Sequence, residues 1–129
     1  MNTASAVVKT SRFSYAETVQ KLTDAIRAKG NTVFASIDQA AAAQGVGLTL
    51  RPTTLVLFGN PKGGTGLMQA FPLIALDLPL KLLVWEESGG VKVAYVPMAA
   101  VAARYDVTGQ DEKLGAMDQA LNALTDTVV

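Results

Sequence analysis

Leu55-Val-Leu-Phe-Gly-Asn-Pro-Lys-Gly-Gly-Thr-Gly66 joins an apolar segment to a polar, glycine-rich one. Residues 53–58 are almost continuously apolar, which is typical of a strand in the middle of a sheet. The glycines within residues 63–66 favour a tight turn, because glycine and asparagine-proline pairs are common in turns. Thr65 then predicts the N-cap of a short helix that runs to about Phe71. We therefore expect a strand, a glycine-rich turn and a helix here.

The flanking segments predict four more strands and a hairpin. Ser88-Gly89-Gly90 separates the last two apolar segments and predicts the hairpin turn, because glycine tolerates positive φ. The strands predicted by alternation and apolar runs are residues 6–13, 32–37, 80–87 and 91–96.

Helices are predicted by capping residues followed by apolar residues at spacings of three and four. Ser14 and Glu17 form a capping box that begins a helix over residues 14–29. Asp38 is placed to cap residues 39–44. Pro97 begins a further helix, and the last helix covers residues 111–128. The order of elements indicates an α+β fold, with a mostly antiparallel sheet and helices packed on one face. No linker or repeat divides residues 1–129, so we expect one domain.

Composition predicts an oligomer. Half of the 129 residues are apolar and 17% are charged, whereas about a quarter are charged in an ordinary soluble domain. So few charges leave apolar surface that a subunit interface would cover. We expect a homo-oligomer, most simply a dimer.

Charge and hydropathy argue against other partners. Eleven basic and eleven acidic residues give a net charge of zero, and the basic residues are scattered along the chain. Nucleic-acid binding usually requires a basic excess, so we do not expect it. No signal peptide or membrane span is visible in the sequence, and a cytoplasmic protein is the default expectation.

The chain contains no cysteine and no histidine. Disulfides, thiolate chemistry and the usual zinc sites are therefore excluded. Catalysis by a serine or cysteine nucleophile paired with histidine is excluded as well. We predict no metal and no cofactor, and we assign no catalytic residue.

The glycine-rich segment invites comparison with a nucleotide-binding loop. A P-loop continues with lysine and then serine or threonine, whereas here Leu67 and Met68 follow Gly66. The motif fails, and we do not expect an ATPase. A weaker hypothesis is that free amides at the start of the Thr65 helix, together with Lys62, hold a carboxylate or phosphate. The alternative, which we favour, is that the glycines only turn the chain.

Two carboxylates follow apolar runs. A carboxylate in apolar surroundings must be paired or have a raised pKa. One interpretation pairs Asp38 and Asp77 around a pocket with Lys62 or Lys81. The other has Asp38 capping a helix and Asp77 accepting hydrogen bonds from amides before Pro79.

Several ordered motifs are similar to those of a known family. They are Asn31–Asp38, Gly47–Pro52, Phe58–Lys62, Gly64-Thr65 with Leu67-Met68, Asp77–Pro79 and Val84–Glu86. Together they resemble the bacterial and archaeal family called domain of unknown function 302, over about residues 13–107. The resemblance implies a fold like that of the TATA-binding protein, with strand, helix, four strands and helix. The family brings no established activity, and Gln39 stands where many members have histidine.

The favoured functional hypothesis is a small oligomeric protein that binds a small molecule, such as an anion, or a partner without known chemistry. An enzyme that uses Asp77 and Lys62 as a carboxylate–lysine pair is the first alternative. Nucleic-acid binding on the sheet face is the second, and it is suggested only by fold analogy. The candidate ligand-binding residues are Asn60, Lys62, Gly63, Gly64, Thr65, Asp77, Asp38 and Lys81.

Overall fold

The computed structural model describes residues 5–129. Five strands form one antiparallel sheet in the spatial order β1-β5-β4-β3-β2. The strands are β1 (Val7–Thr10), β2 (Thr32–Asp38), β3 (Thr53–Gly59), β4 (Leu80–Glu87) and β5 (Gly90–Tyr95). The helices are α1 (Tyr15–Ala28), α2 (Gln39–Gln44), α3 (Pro61–Ala70), α4 (Met98–Arg104) and α5 (Asp111–Asp126), with a 3₁₀ helix over Pro72–Asp77. The predicted α+β class, the sequence of strand, helix and four strands, and the β4–β5 hairpin are confirmed.

Local sequence signals explain several helix ends. The Ser14 hydroxyl accepts a hydrogen bond from the Glu17 amide at 3.2 Å, as the capping box predicts. Gly30 follows α1 with a φ of 82°, the left-handed conformation that glycine adopts without strain. Asp38 caps α2 by accepting from the Ala41 amide at 2.9 Å, so the capping interpretation of Asp38 is confirmed.

The glycine-rich segment is where the local prediction is wrong. Residues 63–66 lie inside α3, which begins at Pro61 with Asn60 as its N-cap. Thr65 is therefore a residue of the second helical turn and does not cap a helix. Its hydroxyl donates to the carbonyl of Pro61 at 2.6 Å, four residues earlier. Proline suits the first position of a helix because it lacks an amide hydrogen that would have no partner there.

One face of the sheet is covered by α1 and α5. Val56 and Phe58 of β3 and Leu82 and Val84 of β4 are almost completely buried on this face. The residues of α1 and α5 in the same core are Leu22, Ile26, Leu114, Leu121 and Leu124, and Val128 just after α5 joins them. This burial of apolar area is the main source of the fold's stability.

The opposite face carries an apolar row that crosses all five strands. The strand register aligns Ile37, Leu55, Leu83, Ala94 and Val8 in that order, and directly paired residues point to the same side. Val8 is 53% exposed and Ile37 is 39% exposed, whereas Leu55 and Leu83 are half-buried. We call this side the open face.

Candidate functional site

The amides at the start of α3 are already hydrogen-bonded. Asn60 accepts from the Lys62 amide through its side-chain oxygen at 3.0 Å. Its carbonyl accepts from the amides of Gly63 at 2.8 Å and Gly64 at 3.2 Å. Since Pro61 has no amide hydrogen, the first turn of α3 keeps no free donor for an anion. The anion site expected from free amides near Thr65 lacks its donors, because the helix N-cap lies five residues earlier than predicted.

The same segment nevertheless forms the wall of a pocket. Asn60, Gly63, Gly64 and Thr65 border a cavity of about 520 Å³, which we call the glycine-helix pocket. The rest of the wall is mostly apolar. It consists of Asn31, Phe34, Leu57, Phe58, Gly59, Pro61, Met68, Leu78, Pro79, Leu80, Lys113, Ala116, Met117 and Ala120. Four of the predicted site residues therefore lie together.

Asp77 lies at the centre of a different cluster. Its Oδ2 accepts hydrogen bonds from Arg104 Nη1 at 3.0 Å and from the Tyr105 hydroxyl. Lys81 Nζ lies 3.9 Å from Asp77 Oδ1 and donates to the Asp77 carbonyl at 3.3 Å. Of the residues that one interpretation grouped with Asp77, Lys81 lies beside it, and Arg104 and Tyr105 from the α4 region complete the cluster.

The partners of Asp77 fix its charge. The hydrogen bond from Tyr105 and the charges of Arg104 and Lys81 lower the pKa of Asp77, against the opposing effect of burial. The same hydrogen bond, together with burial, raises the pKa of Tyr105. At neutral pH Asp77 is ionised and Tyr105 is protonated. The cluster therefore presents a fixed pattern of charges and donors, and it is not tuned for proton transfer near pH 7.

This cluster borders a second cavity, which we call the sheet-face pocket. Its volume is about 270 Å³, and Leu55, Leu83 and Ala94 of the apolar row form part of its lining. Asp77, Lys81 and Arg104 lie in the same lining. The remaining residues are Ala6, Leu80, Tyr95, Val96, Met98, Val101 and Leu121. A charged wall thus meets an apolar floor formed by the open face, and the buried residues Met98, Val101 and Leu121 of α4 and α5 border the same cavity.

The other predicted residues are not brought to this pocket. Lys62 is exposed on α3 and is not part of the lining of either pocket. The proposed Asp77–Lys62 pair does not form, since Asp77 is bound by Arg104, Tyr105 and Lys81. Asp38 borders a third cavity, of about 440 Å³, beside α2.

Arg104 and Tyr105 were missed as site residues. They lie 27 and 28 residues from Asp77 in the chain. Tyr105 had only the helical spacing after Met98 and Val101 as a signal, which indicates packing and does not indicate a carboxylate partner. The anchoring of α4 was missed as well: Asp118 of α5 accepts from the amides of Met98 at 2.6 Å and Ala99 at 3.3 Å.

The fold and sequence define a known class of protein, an antiparallel α+β domain with helices on one face. Residues 7–124 match the family model described as Domain of unknown function DUF302. The chain belongs to this family.

A solved structure supports the fold assignment. The crystal structure of an uncharacterised conserved DUF302 protein from Bacillus stearothermophilus superposes with a TM-score of 0.90. The alignment covers 98% of this chain and 99% of that one, at 19% sequence identity. This likeness shows the fold alone.

Curated relatives match over part of their length. The fluoride-specific ion channel FluC 1 of Brucella suis biovar 1 is 45% identical over 80 residues, which are 62% of this chain and 32% of that protein. The protein with the same description from Brucella abortus biovar 1 has the same identity over 30% of its length. The chain thus spans about a third of the length of these relatives. Among residues 5–129, none of the helices has the length and apolar character needed to cross a lipid bilayer.

Proposed function

We propose that this protein is a small-ligand-binding domain, and that the sheet-face pocket binds a small organic monoanion. The observation that carries the proposal is a charge imbalance. Within residues 5–129, Lys81 and Arg104 share one carboxylate, that of Asp77, beside an apolar floor. A ligand with an apolar body and one negative group would satisfy both features.

Both cations keep donors available for such a ligand. Arg104 has five N–H groups, of which one bonds Asp77, and its side chain is 56% exposed. Lys81 has three, of which one bonds the Asp77 carbonyl, and its side chain is 35% exposed. Ligand sites typically combine an apolar lining with a few polar groups in fixed positions. Asp77 supports the proposal by holding Arg104 in place.

The open face also supports an oligomer. We propose a homodimer in which the apolar row of one copy meets that of another, because Val8 and Ile37 at the two ends of the row are exposed large apolar residues. Such contact would close the sheet-face pocket between two copies. Light scattering should give twice the chain mass, and Ile37→Asp should give the monomer mass. A monomer for the unmodified protein contradicts the dimer.

No reaction is proposed. Asp77 is held in its ionised form by two donors, and Lys62 does not line its pocket, which disfavours a catalytic carboxylate–lysine pair. The ion-channel activity in the names of the Brucella proteins belongs to chains about twice as long, of which the match covers about a third. We therefore do not transfer it. Binding alone is the function that these contacts favour.

Calorimetric titration with benzoate tests the proposal, with benzyl alcohol as the uncharged match. We expect benzoate to bind, and Arg104→Gln to weaken it about tenfold by removing a charge-assisted contact. Arg27→Gln, an exposed arginine on α1, is the matched control and should leave the affinity unchanged. Equal binding of benzoate by the protein and the Arg104 variant, or no binding at all, would overturn the proposal.

A further inference from the structure

The glycine-helix pocket is the largest of the three cavities described above, and the residues around Asp77 that form the charged cluster do not line it. Its volume of about 520 Å³ lies within the usual range for small-molecule sites. Phe34, Leu57, Leu78 and Pro79 supply flat or branched apolar surface, and Met68 and Met117 supply flexible apolar surface. Methionine adapts to the shape of a bound chain because its side chain is unbranched and polarisable. The cavity therefore suits an apolar ligand body.

One cation lines this cavity. Lys113 is half-buried, and within residues 5–129 its ammonium makes no ion pair with any carboxylate and no hydrogen bond to the protein. Its acidic sequence neighbours Asp111 and Glu112 are exposed and do not pair with it. Lys113 is the third residue of α5, where the helix dipole adds further positive potential. A half-buried charge without a counterion is unfavourable, so an anionic group of a ligand would stabilise it.

Gly66 of α3 makes room for this ammonium. A Cβ atom at position 66 would lie 3.0 Å from Lys113 Nζ, a tight contact that the flexible end of the lysine would have to relieve by shifting. Glycine lowers helix stability relative to alanine, so a glycine at this helical position needs a reason. At Gly66 the reason is the approach of Lys113. At Gly63 no atom lies within 4 Å of such a Cβ, so the wall there is open.

A second polar group is available at the same wall. Asn60 uses its side-chain oxygen to accept from the Lys62 amide, which leaves its NH₂ group to donate. Asn60 and Lys113 both line the cavity. An ammonium and an amide donor beside an apolar chamber are complementary to a carboxylate carried by an apolar chain.

We propose that the glycine-helix pocket binds a medium-chain monocarboxylate, with its apolar chain in the cavity and its carboxylate paired with Lys113. This is a second ligand site, independent of the sheet-face pocket. Lys113 is the residue that selects the charged ligand over an uncharged one, and Gly66 keeps the ammonium at the wall.

Titration calorimetry with decanoate and with decanol, its uncharged counterpart, tests the proposal on the full chain. We expect decanoate to bind about tenfold more tightly than decanol. Lys113→Met keeps the apolar stem and should abolish that preference, whereas Lys113→Arg should retain most of it. Lys29→Met, an exposed lysine at the end of α1, is the control and should behave like the unmodified protein.

Three results would overturn the proposal. They are no binding of decanoate, equal binding of decanoate and decanol, and a full preference for decanoate in the Lys113→Met variant. Thermal unfolding without ligand separates these results from a folding defect. Arg104→Gln should leave decanoate binding unchanged, so failure at one pocket is distinguishable from failure at the other. Gly66→Ala should weaken decanoate less than Lys113→Met does, because it only displaces the ammonium.

Discussion

The two faces of the sheet are built from similar residues but have different surroundings. On β4, Leu82 and Val84 are completely buried under the helices, whereas Leu83 between them points to the open face and is only half-buried. On β3, Val56 and Phe58 are buried in the same way, while Leu55 belongs to the apolar row. An apolar residue in a strand thus indicates sheet structure, but it does not indicate which face a helix will cover.

The two faces of the sheet also have different roles: one stabilises the fold, and the other borders the proposed ligand site. The covered face contributes the core. The open face combines apolar surface with Asp77, Lys81 and Arg104 at the sheet-face pocket. Binding sites commonly need both apolar area and a few fixed charges. The side of the sheet that the helices leave uncovered is therefore where we place the first ligand site.

The largest expected effect compares Leu82→Ala with Leu83→Ala on the same strand. Leu82 is 0% exposed, so its truncation removes buried area and leaves a cavity, and it should cost about 2–5 kcal/mol. Leu83 lies half-buried on the open face, so in the monomeric Ile37→Asp background its truncation should cost about 1 kcal/mol or less. Urea unfolding of both variants measures the two changes in the free energy of unfolding. Equal costs would mean that the open face is as well covered in solution as the other face.

A smaller effect is expected at the edge of the open face, with Asp77→Asn. The change removes the charge that Arg104 and Lys81 share and should cost about 1–3 kcal/mol at neutral pH.

The pH dependence of the free energy of unfolding tests whether the ionised form of Asp77 stabilises the fold. The folded-state pKa of Asp77 is lowered, chiefly by the hydrogen bond from Tyr105. Asp77 therefore makes its full contribution to the free energy of unfolding above its unfolded-state pKa of about 4. The contribution is lost as the pH falls through the lowered folded-state pKa. Unfolding free energies measured between neutral pH and the acid range should therefore fall less steeply in Asp77→Asn than in the unmodified protein. Parallel pH profiles would contradict this prediction.

Asp118→Ala should loosen α4, which carries Arg104 to the sheet-face pocket. The Asp118 carboxylate caps α4 by accepting from the amides of Met98 and Ala99, and capping side chains contribute about 1 kcal/mol. Gln119→Ala, an exposed neighbour on α5, should change stability by less than about 0.5 kcal/mol. Thermal unfolding measures the midpoint temperature of each variant. Equal midpoints for Asp118→Ala and Gln119→Ala would show that Asp118 does not stabilise α4 as a cap.

The smallest expected effect is a gain in stability away from the open face. Gly63 is helical, and a Cβ at this position would meet no atom within 4 Å. Gly63→Ala should therefore stabilise the protein by about 0.5–1 kcal/mol, because alanine loses less conformational freedom in a helix. A shift of the urea midpoint to higher concentration measures the gain. A loss would mean that the α3 backbone is not as relaxed as its geometry indicates.

Local chemistry made much of the fold predictable. The capping box at Ser14, the Asp38 cap and the glycine hairpin after Glu87 each act over a few residues, and each is present. The prediction of a turn in the glycine-rich segment was wrong because glycine and asparagine-proline pairs are frequent in turns, although here they begin a helix. Here the Asn60 cap and the complete burial of Leu67 keep residues 61–70 helical, although glycine is a poor helix former.

The candidate sites were predictable only in part. Asp77 and Lys81 are four residues apart, and one of the two interpretations of Asp77 placed Lys81, or else Lys62, near it. Arg104 and Tyr105 reach Asp77 from α4, and Lys113 reaches Gly66 from α5. Contacts between residues far apart in the chain carry no local signal, so the partners that define both pockets were not found.

The sequence by itself determined the α+β class, the strands and the main helices, because hydrophobic periodicity and capping act through neighbouring residues. It also excluded histidine and cysteine chemistry outright. Only the tertiary structure decided which face of the sheet stays open and which charges meet there. The physical reason is that both faces of β3 and β4 carry apolar residues, and the docking of α1 and α5 determines which face is covered. The segment at residues 55–66 shows both parts: its strand was evident locally, whereas its glycine-rich helix and the pocket beside it required the rest of the fold.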